Sequence, residues 1–381
     1  MGAASAAAGR LRILLTVHHH LERGSGAPGS TLVLAEELER RGHAVEVVGL
    51  GLLRAPLRGT AASLAFPHVL GRVVRRRLDR GDLDVIDAST GDLAHVSPAS
   101  IRTSSAAVFT RSHGLEALGV RARREGAAAG ELSLRRRYRL YHGGLRLREV
   151  AASMRAADAV LVLNDAEAAY ALDELGIDAA RIWRTAPAHL GASAVLDRAP
   201  SRDVLVLGDA TWRKGGDVAS RVVESVLRCS PDATASWAGL SAPDALGAEL
   251  GADVRGRVEV SGRYGSAQLA GLLADHRVLL FASRFEGLPV TLLEALNSGI
   301  AVVGADVPGV RDLLAGGAGV LVPPGHVEGF TGATLSLLGD HAARAACGAA
   351  GRAVAGRLAL GGVVDRLVDA YRCVLAIKRA E

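Results

Sequence analysis

The chain has 381 residues, of which 49% are hydrophobic and 22% are charged. These proportions are those of a soluble globular protein, and the length is enough for two domains with a core in each. The sequence contains no apolar run long enough to span a membrane, and the short apolar run near the N-terminus fits a first strand better than a signal peptide. The three cysteines, Cys229, Cys347 and Cys373, lack metal-ligand spacing. The sequence therefore predicts a reduced, cytoplasmic protein.

The charge is distributed unevenly along the chain. Residues 1–150 contain 23 arginines, no lysine and 14 acidic residues, whereas the remainder contains 22 basic and 26 acidic residues. The basic first half indicates either a solvated basic face or a surface for an anionic partner, such as a membrane or an acidic acceptor. Aromatic residues make up 3% of the chain, which argues against a stacking platform for nucleic acid. We expect no nucleic acid partner.

Lysine is rare in this chain. Of 45 basic residues only Lys214 and Lys378 are lysines, a bias typical of a GC-rich bacterial genome. Lys378 lies in the C-terminal tail, where we expect no chemistry. Lys214 lies in "TWRKGGD", at a predicted strand-to-helix turn, and its retention indicates that a compact point charge is needed there.

Short apolar runs alternate with helical patterns from end to end. The strands predicted from them are residues 12–17, 44–49, 84–89, 107–111, 159–163, 181–185, 203–208, 234–239, 257–262, 278–283, 301–306 and 319–323. Most are continuously apolar, which is typical of parallel strands buried on both faces. The intervening helices fit doubly wound sheets. In the first of these, residues 30–45, Ser30 is the expected cap and Gly42 the expected stop.

Residues 186–203 have no clear period, and they predict a linker at 189–202. It separates a first domain (1–188) from a second domain (203–360). The fold class is therefore α/β, with two Rossmann-like, doubly wound parallel sheets. Residues 361–381 predict a helix with Val363, Leu367, Tyr371 and Leu375 on one stripe. Because no strand follows this helix, we expect it to cross back and pack on the first domain.

The stretch "SRFEGLPVTLLEALNSG" (283–299) places two glutamates around a predicted helix start. Pro289 suits the first helical position, and the backbone N–H groups of Gly287 and Leu288 suit a phosphate at the carboxyl end of the sheet. Glu286 lies on the rim of that site, and Glu294 lies roughly 7 Å further along the helix. Taken alone, the two glutamates could equally be a loop charge and a helix surface charge.

The spacing Glu-x7-Glu, followed by "AVVGADVPGVRDLL" and "GVLVPPGHVEGF", resembles the family 4 retaining glycosyltransferases of GT-B fold. The resemblance covers nearly the whole chain. It implies that Glu286 contacts the hydroxyls of a donor sugar and that Glu294 binds the ribose of its nucleotide. It further implies transfer of a hexose from a nucleotide diphosphate sugar, of UDP or GDP type, to an acceptor hydroxyl. No metal and no cofactor are expected.

The segment "LVLGDATWRKGGD" (205–217) resembles the family's diphosphate-binding turn, in which Gly208 and Lys214 match. Asp209 stands where the family has an arginine. A carboxylate beside a diphosphate would repel it. Two explanations follow: either Arg213 replaces the missing cation, or Asp209 points away.

Three further segments resemble parts of the family's site. "RSHGLEAL" (111–118) implies that His113 faces the anomeric carbon, although a lone histidine can also be a satisfied loop or core residue. "GSGAPGST" (24–31) resembles the family's glycine loop, with Gly29 as the best match. "SGRYG" (261–265) makes Arg263 and Tyr264 candidates for contact with the base.

Several other patterns are weaker. The histidines of "HHH" (18–20) would point to opposite faces of a strand, so they make a poor metal site. The tripeptide "DLD" (82–84) has an Asp-x-Asp pattern that could suggest a metal site, but a lone tripeptide of this kind occurs by chance. Residues 132–150 predict a basic amphipathic helix with Leu134, Tyr138, Tyr141 and Leu145 on one stripe. This stripe is more typical of core than of lipid contact, but peripheral contact with the inner face of a membrane remains an alternative.

The resemblance therefore implies a retaining, metal-independent glycosyltransferase in which His113, Glu286 and Lys214 carry the chemistry. The acceptor is open: a small molecule, a glycan or a lipid-linked compound. The oligomeric state is open as well. A nucleotide-sugar epimerase on the same fold and a non-catalytic nucleotide-binding relative are the alternatives.

Overall fold

The computed structural model describes residues 9–24, 26–53, 57–189 and 199–380. Within them the chain forms two compact units. The first contains the described residues up to Val120, Leu134–His189 and the segment from Leu360 onward. The second contains Arg121–Ser133 and the described residues from 199 to Ala359, so it includes a segment that lies inside the predicted first domain. Most of the predicted linker, residues 190–198, lies outside the described residues.

The first unit is built on a parallel sheet of six strands in the order β2-β1-β3-β4-β5-β6. These strands are β1 (Arg12–Thr16), β2 (Ala44–Val48), β3 (Val85–Ser89), β4 (Ala107–Arg111), β5 (Ala159–Val162) and β6 (Ile182–Arg184). Every residue of β3, β4 and β5 is buried, as the continuous apolar runs predict. All six predicted strands of this half are confirmed.

Helices connect these strands. They are α1 (Gly26–Arg40), α2 (Gly59–Arg80), α3 (Pro98–Thr103), α4 (Glu116–Ala128), α5 (Arg136–Leu140), α6 (Arg146–Ala156) and α7 (Asp165–Ala169). Helix α1 begins four residues before Ser30, so the prediction that Ser30 caps it is wrong. Gly29 accordingly lies inside the first turn of α1 and not in a loop. Gly42 follows the end of the helix with a positive φ of 89°, as a stop signal should.

The basic amphipathic segment differs from its prediction. Helices α5 and α6 are joined by a π-helical turn over Tyr141–Leu145, which rotates the following residues relative to a regular helix. Tyr141 is buried, but Leu145 is 43% exposed and the neighbouring Leu140 is 66% exposed. The prediction that this stripe is core is therefore wrong at Leu145. No helix in the described part of the chain is long and apolar enough to cross a membrane.

The second unit contains another parallel sheet of six strands, in the order β12-β11-β10-β7-β8-β9. These strands are β7 (Arg202–Leu207), β8 (Ala235–Ala238), β9 (Val258–Ser261), β10 (His276–Phe281), β11 (Ala301–Ala305) and β12 (Val320–Val322). Its helices are α8 (Gly216–Cys229), α9 (Pro243–Glu249), α10 (Ala252–Arg255), α11 (Ser266–Asp275), α12 (Val290–Ser298), α13 (Pro308–Leu314), α14 (Val327–Gly339) and α15 (His341–Arg357). The six strands predicted for this half are confirmed.

The last helix, α16 (Leu360–Ala380), packs in the core of the first unit, as predicted. Its buried stripe includes Tyr371, whose hydroxyl donates a hydrogen bond to Asp87 on β3. Arg111 on β4 pairs with the same carboxylate at 3.0 Å. Near the end of the helix, the Nζ atom of Lys378 donates to the carbonyl of Ile101 at 2.7 Å and also bonds Asp158. The second lysine of the chain therefore anchors the helix.

Each sheet reverses its direction of winding at one pair of strands. In the first unit the chain proceeds from β1 to β2 on one side and to β3 on the other; in the second unit β7 and β10 form the corresponding pair. In open α/β sheets, ligands bind at the carboxyl ends of the strands at such a switch point. The loops after β1, β3, β7 and β10 are therefore the places where binding residues are expected.

Candidate active site

The loop after β7 presents a pair of cations. It forms a short helical turn, Trp212–Lys214, that ends at Gly215 with a positive φ of 69°. A Cβ atom on Gly215 would overlap the carbonyl oxygen of Ala282, the residue that follows β10. Glycine at this position therefore lets the cation-bearing turn lie directly against the end of β10.

Glu286, in the loop after β10, receives these cations. Its Oε1 atom lies 2.7 Å from Nζ of Lys214 and 3.2 Å from Nη1 of Arg213. Glu286 is 8% exposed, so its side chain is buried. Burial favours the protonated acid, but the attraction of Lys214 and Arg213 outweighs it and lowers the pKa of Glu286. The site therefore holds an ionised carboxylate between two cations.

The chain between Glu286 and helix α12 is closely packed. Gly287, Leu288 and Pro289 are buried, and Pro289 occupies the cap position, one residue before the helix rather than its first position. A Cβ atom on Gly309, in the first turn of α13, would overlap the carbonyl oxygen of Gly287. The start of α12 is thus fixed by close contact with α13, at the same edge of the sheet as Lys214.

Glu294 and Tyr264, both partly buried, form a second group on the same unit. Burial raises the pKa of Glu294 to about 7. The Tyr264 hydroxyl hydrogen-bonds Thr291 on α12, and burial together with the nearby Glu294 raises the pKa of Tyr264 to about 12. The Tyr264 ring lies over Gly239, after β8. Near pH 7, Glu294 is therefore partly protonated and partly ionised.

Asp209 is turned toward the loop after β8. Its Oδ1 atom accepts a hydrogen bond from the backbone N–H of Ser241 at 3.0 Å, and its Oδ2 atom accepts one from the Ser241 hydroxyl at 2.8 Å. These hydrogen bonds lower the pKa of Asp209, and Arg263 contributes in the same direction. The Asp209 carboxylate is therefore held by Ser241, and Arg213 lies beside Lys214 at Glu286.

A group that the sequence did not reveal supports the cation-bearing turn. The Trp212 indole N–H donates to Glu131 at 2.9 Å, and Nε of Arg284 lies 3.1 Å from the same carboxylate. Arg284 also donates to the Trp212 carbonyl at 3.0 Å and to both oxygens of Asp217. Its backbone N–H donates to the carbonyl of Arg213 at 2.8 Å. We name Glu131, Trp212, Asp217 and Arg284 the Trp212 brace.

His113 and Gly29 belong to the first unit, whereas the other predicted site residues belong to the second. The Nε2 atom of His113 is buried without a hydrogen-bond partner among the described residues. Burial, reinforced by Arg111, lowers the pKa of His113 to about 4, so its imidazole is neutral at physiological pH. At Gly29, a Cβ atom would lie 2.5 Å from the Arg23 carbonyl oxygen, which explains the glycine by packing.

The described residues contain no cluster of three or more histidine, cysteine, aspartate or glutamate side chains arranged to hold a metal ion. The three neighbouring histidines at 18–20 therefore do not converge on one point. His18 bonds Asp92 at 2.8 Å, whereas His20 is exposed.

Residues 201–340 match the family model "Glycosyl transferases group 1". The chain is 25% identical to a phosphatidyl-myo-inositol mannosyltransferase of Mycolicibacterium smegmatis over 356 residues, covering 88% of this chain and 86% of the relative. It is 28% identical over 148 residues to a GDP-mannose-dependent monoacylated alpha-(1-6)-phosphatidylinositol monomannoside mannosyltransferase of Corynebacterium glutamicum, covering 37% of this chain and 39% of that one.

Among solved structures, the sucrose-phosphate synthase of Thermosynechococcus elongatus superposes with a TM-score of 0.76 at 17% identity, over 97% of this chain and all of that one. At this identity the likeness supports the fold alone. Together, the family model over residues 201–340, the mannosyltransferase relatives and the two doubly wound sheets show that the chain is a glycosyltransferase of GT-B fold.

Proposed function

We propose that the protein transfers a hexose from a nucleotide diphosphate sugar to an acceptor hydroxyl, with retention of the anomeric configuration and without a metal ion. One observation carries the donor site: Lys214 and Arg213 converge on the buried Glu286 beside the start of helix α12. Two fixed cations and the N-terminus of a helix are the groups that stabilise a diphosphate.

In this proposal the cations and the helix start bind the diphosphate, and they stabilise the charge that develops on it as it leaves. Such preorganised electrostatic stabilisation is usually the largest contribution to catalysis, and it supplies what a metal ion would supply in other enzymes. Glu286 accepts hydrogen bonds from the hydroxyls of the transferred sugar. Glu294, in its ionised form, accepts the two hydroxyls of the ribose, and Tyr264 and Arg263 lie beside the base.

His113 completes the proposed chemistry from the first unit. Because its imidazole is neutral, it can face positive charge developing at the anomeric carbon without repelling it. A histidinium there would oppose the reaction. The lowered pKa of His113 therefore suits a group that stabilises an electron-poor carbon.

We further propose GDP-mannose as the donor, because the relative from Corynebacterium glutamicum is GDP-mannose-dependent by name. We propose a phosphatidylinositol-type lipid as the acceptor, because both relatives are by name mannosyltransferases of such lipids. The first half of the chain supports a membrane-borne acceptor: Leu140 and Leu145 are exposed on a helix that also carries exposed Arg136, Arg139 and Arg148. Apolar side chains among arginines suit the surface of an anionic membrane. We place the protein at the cytoplasmic face.

The two alternatives lose support. An epimerase would need no acceptor, yet both curated relatives are transferases. A non-catalytic relative was favoured only by Asp209, and that carboxylate is hydrogen-bonded to Ser241.

The proposal is tested by incubating the protein with GDP-mannose and phosphatidylinositol vesicles in EDTA, and by determining the anomeric configuration of the product by NMR. We expect an α-linked mannolipid, which retains the donor configuration. A β-linked product would contradict retention. Activity restored only by Mg²⁺ would contradict metal independence, and transfer from UDP-glucose alone would contradict the choice of donor.

A further inference from the structure

Phe281 is the last residue of strand β10, and its ring faces the ammonium group of Lys214. The Nζ atom of Lys214 lies 5.5 Å from the centre of that ring, which is within the distance at which a cation is attracted to the negative face of an aromatic ring. Phe281 is 3% exposed. The core of the second unit therefore fixes the ring, and the ring offers the lysine a rigid face.

The order of the strands brings these two residues together. Strands β7 and β10 are parallel neighbours, and Val206 pairs with Leu280 near their carboxyl ends. Gly208 follows β7, and a Cβ atom on it would lie 3.8 Å from Cε of Lys214. The lysine side chain therefore lies at the carboxyl ends of both strands, with Gly208 beside its stem and Phe281 facing its charged end.

Glu286 contacts the same ammonium group. Its Oε1 atom lies 2.7 Å from Nζ of Lys214, whose side chain is 24% exposed. An ammonium group has three N–H donors, and the carboxylate oxygen accepts one of them. The ring and the carboxylate therefore hold the group, while its other donors can bond the oxygens of a phosphate.

A lysine suits this position better than an arginine. Its ammonium group is a compact charge on a flexible four-carbon stem, whereas the guanidinium group of arginine is a broad planar fork. Ordering a flexible side chain opposes the binding of a ligand, so contacts that restrict the stem beforehand favour binding. This accounts for the lysine at position 214 in a chain where only two of 45 basic residues are lysines.

We infer that Phe281 is a positioning residue of the donor site, and that its ring holds the ammonium group of Lys214 where a nucleoside diphosphate binds. The inference rests on the proposed function, in which Lys214 binds the diphosphate. In this role Phe281 acts through Lys214 and need not touch the nucleotide. Weakening the attraction of the ring without changing its shape should therefore weaken diphosphate binding.

Fluorinated phenylalanines at position 281 test this role, because fluorine withdraws electrons from the face of the ring and hardly changes its shape. We expect the Kd for GDP, measured by calorimetry in EDTA, to rise steadily with the number of ring fluorines and to reach about threefold to tenfold in the trifluoro variant. Phe281→Leu, which removes the ring, should weaken binding at least as much. The control is the same series at Phe330, a fully buried ring of the same unit, where the Kd should not change.

A measurement without any nucleotide separates this inference from the proposed function. Because the chain has only two lysines, protein labelled with ¹³C-lysine gives two sets of side-chain NMR signals, and the set that is lost in Lys214→Met belongs to Lys214. The ring current of Phe281 should shift the ε-methylene protons of Lys214 upfield. In Phe281→Leu these protons should return to the position of a free lysine.

Each measurement can overturn the inference. If the Lys214 signals were the same in wild type and in folded Phe281→Leu, the ring would not face the ammonium group. If GDP bound the trifluoro variant as tightly as wild type, the ring would not position the lysine for the diphosphate. If GDP failed to bind the wild-type protein, the proposed donor would be wrong, whereas the NMR signals would still decide whether Phe281 holds Lys214.

Discussion

The Nζ atom of Lys214 lies 2.7 Å from Oε1 of Glu286, although the two residues are 72 positions apart in the chain. Their elements, β7 and β10, are neighbours at the switch point of the second sheet. The contact joins the one lysine near the second sheet's carboxyl edge to a buried carboxylate, and Arg213 approaches the same oxygen at 3.2 Å. Glu286 therefore partly neutralises the two cations that we assign to the diphosphate.

Glu286→Gln should separate binding from turnover. The amide keeps the shape of the side chain but removes the negative charge, so Lys214 and Arg213 should attract a nucleoside diphosphate at least as strongly as before. We expect Kd for GDP to stay equal or decrease, and kcat for transfer to fall about 100-fold. Calorimetry and a transfer assay measure the two effects. If binding and turnover weakened together, Glu286 would instead be needed to build the diphosphate site.

Glu294 should make nucleotide binding depend on pH. Its pKa is raised to about 7 by burial, and we assign its ionised form to the ribose hydroxyls. Kd for GDP should therefore increase as pH falls below 7, approaching tenfold for each unit. Glu294→Gln should bind GDP more weakly at pH 8 and should lose most of this dependence. A wild-type Kd that does not change between pH 8 and pH 6 would exclude Glu294 from the nucleotide site.

The raised pKa of Glu294 also affects stability. The folded protein holds this proton more tightly than the unfolded chain, so stability from this group is present below the ordinary pKa of 4.5 and is lost as pH rises through about 7. Glu294→Gln should remove that loss. The free energy of unfolding of the variant, measured by denaturant titration, should therefore exceed that of wild type at pH 8 by more than at pH 5. If the variant and wild type differed in free energy of unfolding by the same amount at pH 5 and pH 8, a buried Glu294 with a raised pKa would be contradicted.

His113 should destabilise the protein in acid. Burial lowers its pKa from the ordinary 6.5 to about 4, so the unfolded chain takes up this proton first. Its contribution to stability is complete above pH 6.5 and is lost as pH falls toward 4, by about 3 kcal/mol. Because the other histidines titrate in both proteins, the difference between wild type and His113→Gln isolates this group. If wild type and His113→Gln lost equal stability as the pH falls from 6.5 to 4, His113 would not be buried in its neutral form.

The Trp212 brace should affect the site without touching the substrate. Trp212→Phe removes the indole N–H that bonds Glu131 but keeps an aromatic ring beside Arg284. We expect kcat and GDP affinity to fall about threefold to tenfold, because one hydrogen bond to a charged group holds the turn that carries Arg213 and Lys214. Glu249→Gln, an exposed change on α9 of the same unit, is the control. If kcat and GDP affinity were unchanged in Trp212→Phe, Gly215 and the backbone hydrogen bond of Arg284 would be enough to hold the turn.

The strands and the candidate donor site follow from local sequence, but several orientations do not. Continuous apolar runs such as residues 278–283 predict buried parallel strands because both faces of such a sheet are covered. Ser30 offers a better local cap than the residues that precede it, yet the helix begins at Gly26, and Gly29 lies against the backbone carbonyl of Arg23.

Long-range partners explain the remaining differences. The direction of Asp209 depends on Ser241, 32 residues further along the chain, and the role of Trp212 depends on Glu131, 81 residues earlier. Neither pair has a periodic or motif signal. Similarly, "HHH" (18–20) makes a poor metal site and gives no sign of a partner for His18, since the aspartate that bonds His18 is 74 residues away. Only the order of strands in the sheet brings such residues together.

The donor site is tested most directly by calorimetric titration of GDP into the wild-type protein and Lys214→Met, both in EDTA. We expect wild type to bind GDP without metal, and the variant to bind it about 10-fold to 100-fold more weakly, because a charge-assisted contact with the diphosphate is lost. Equal affinity of the two proteins would contradict the assignment of Lys214 to the diphosphate, and binding that requires added Mg²⁺ would contradict the metal-independent site.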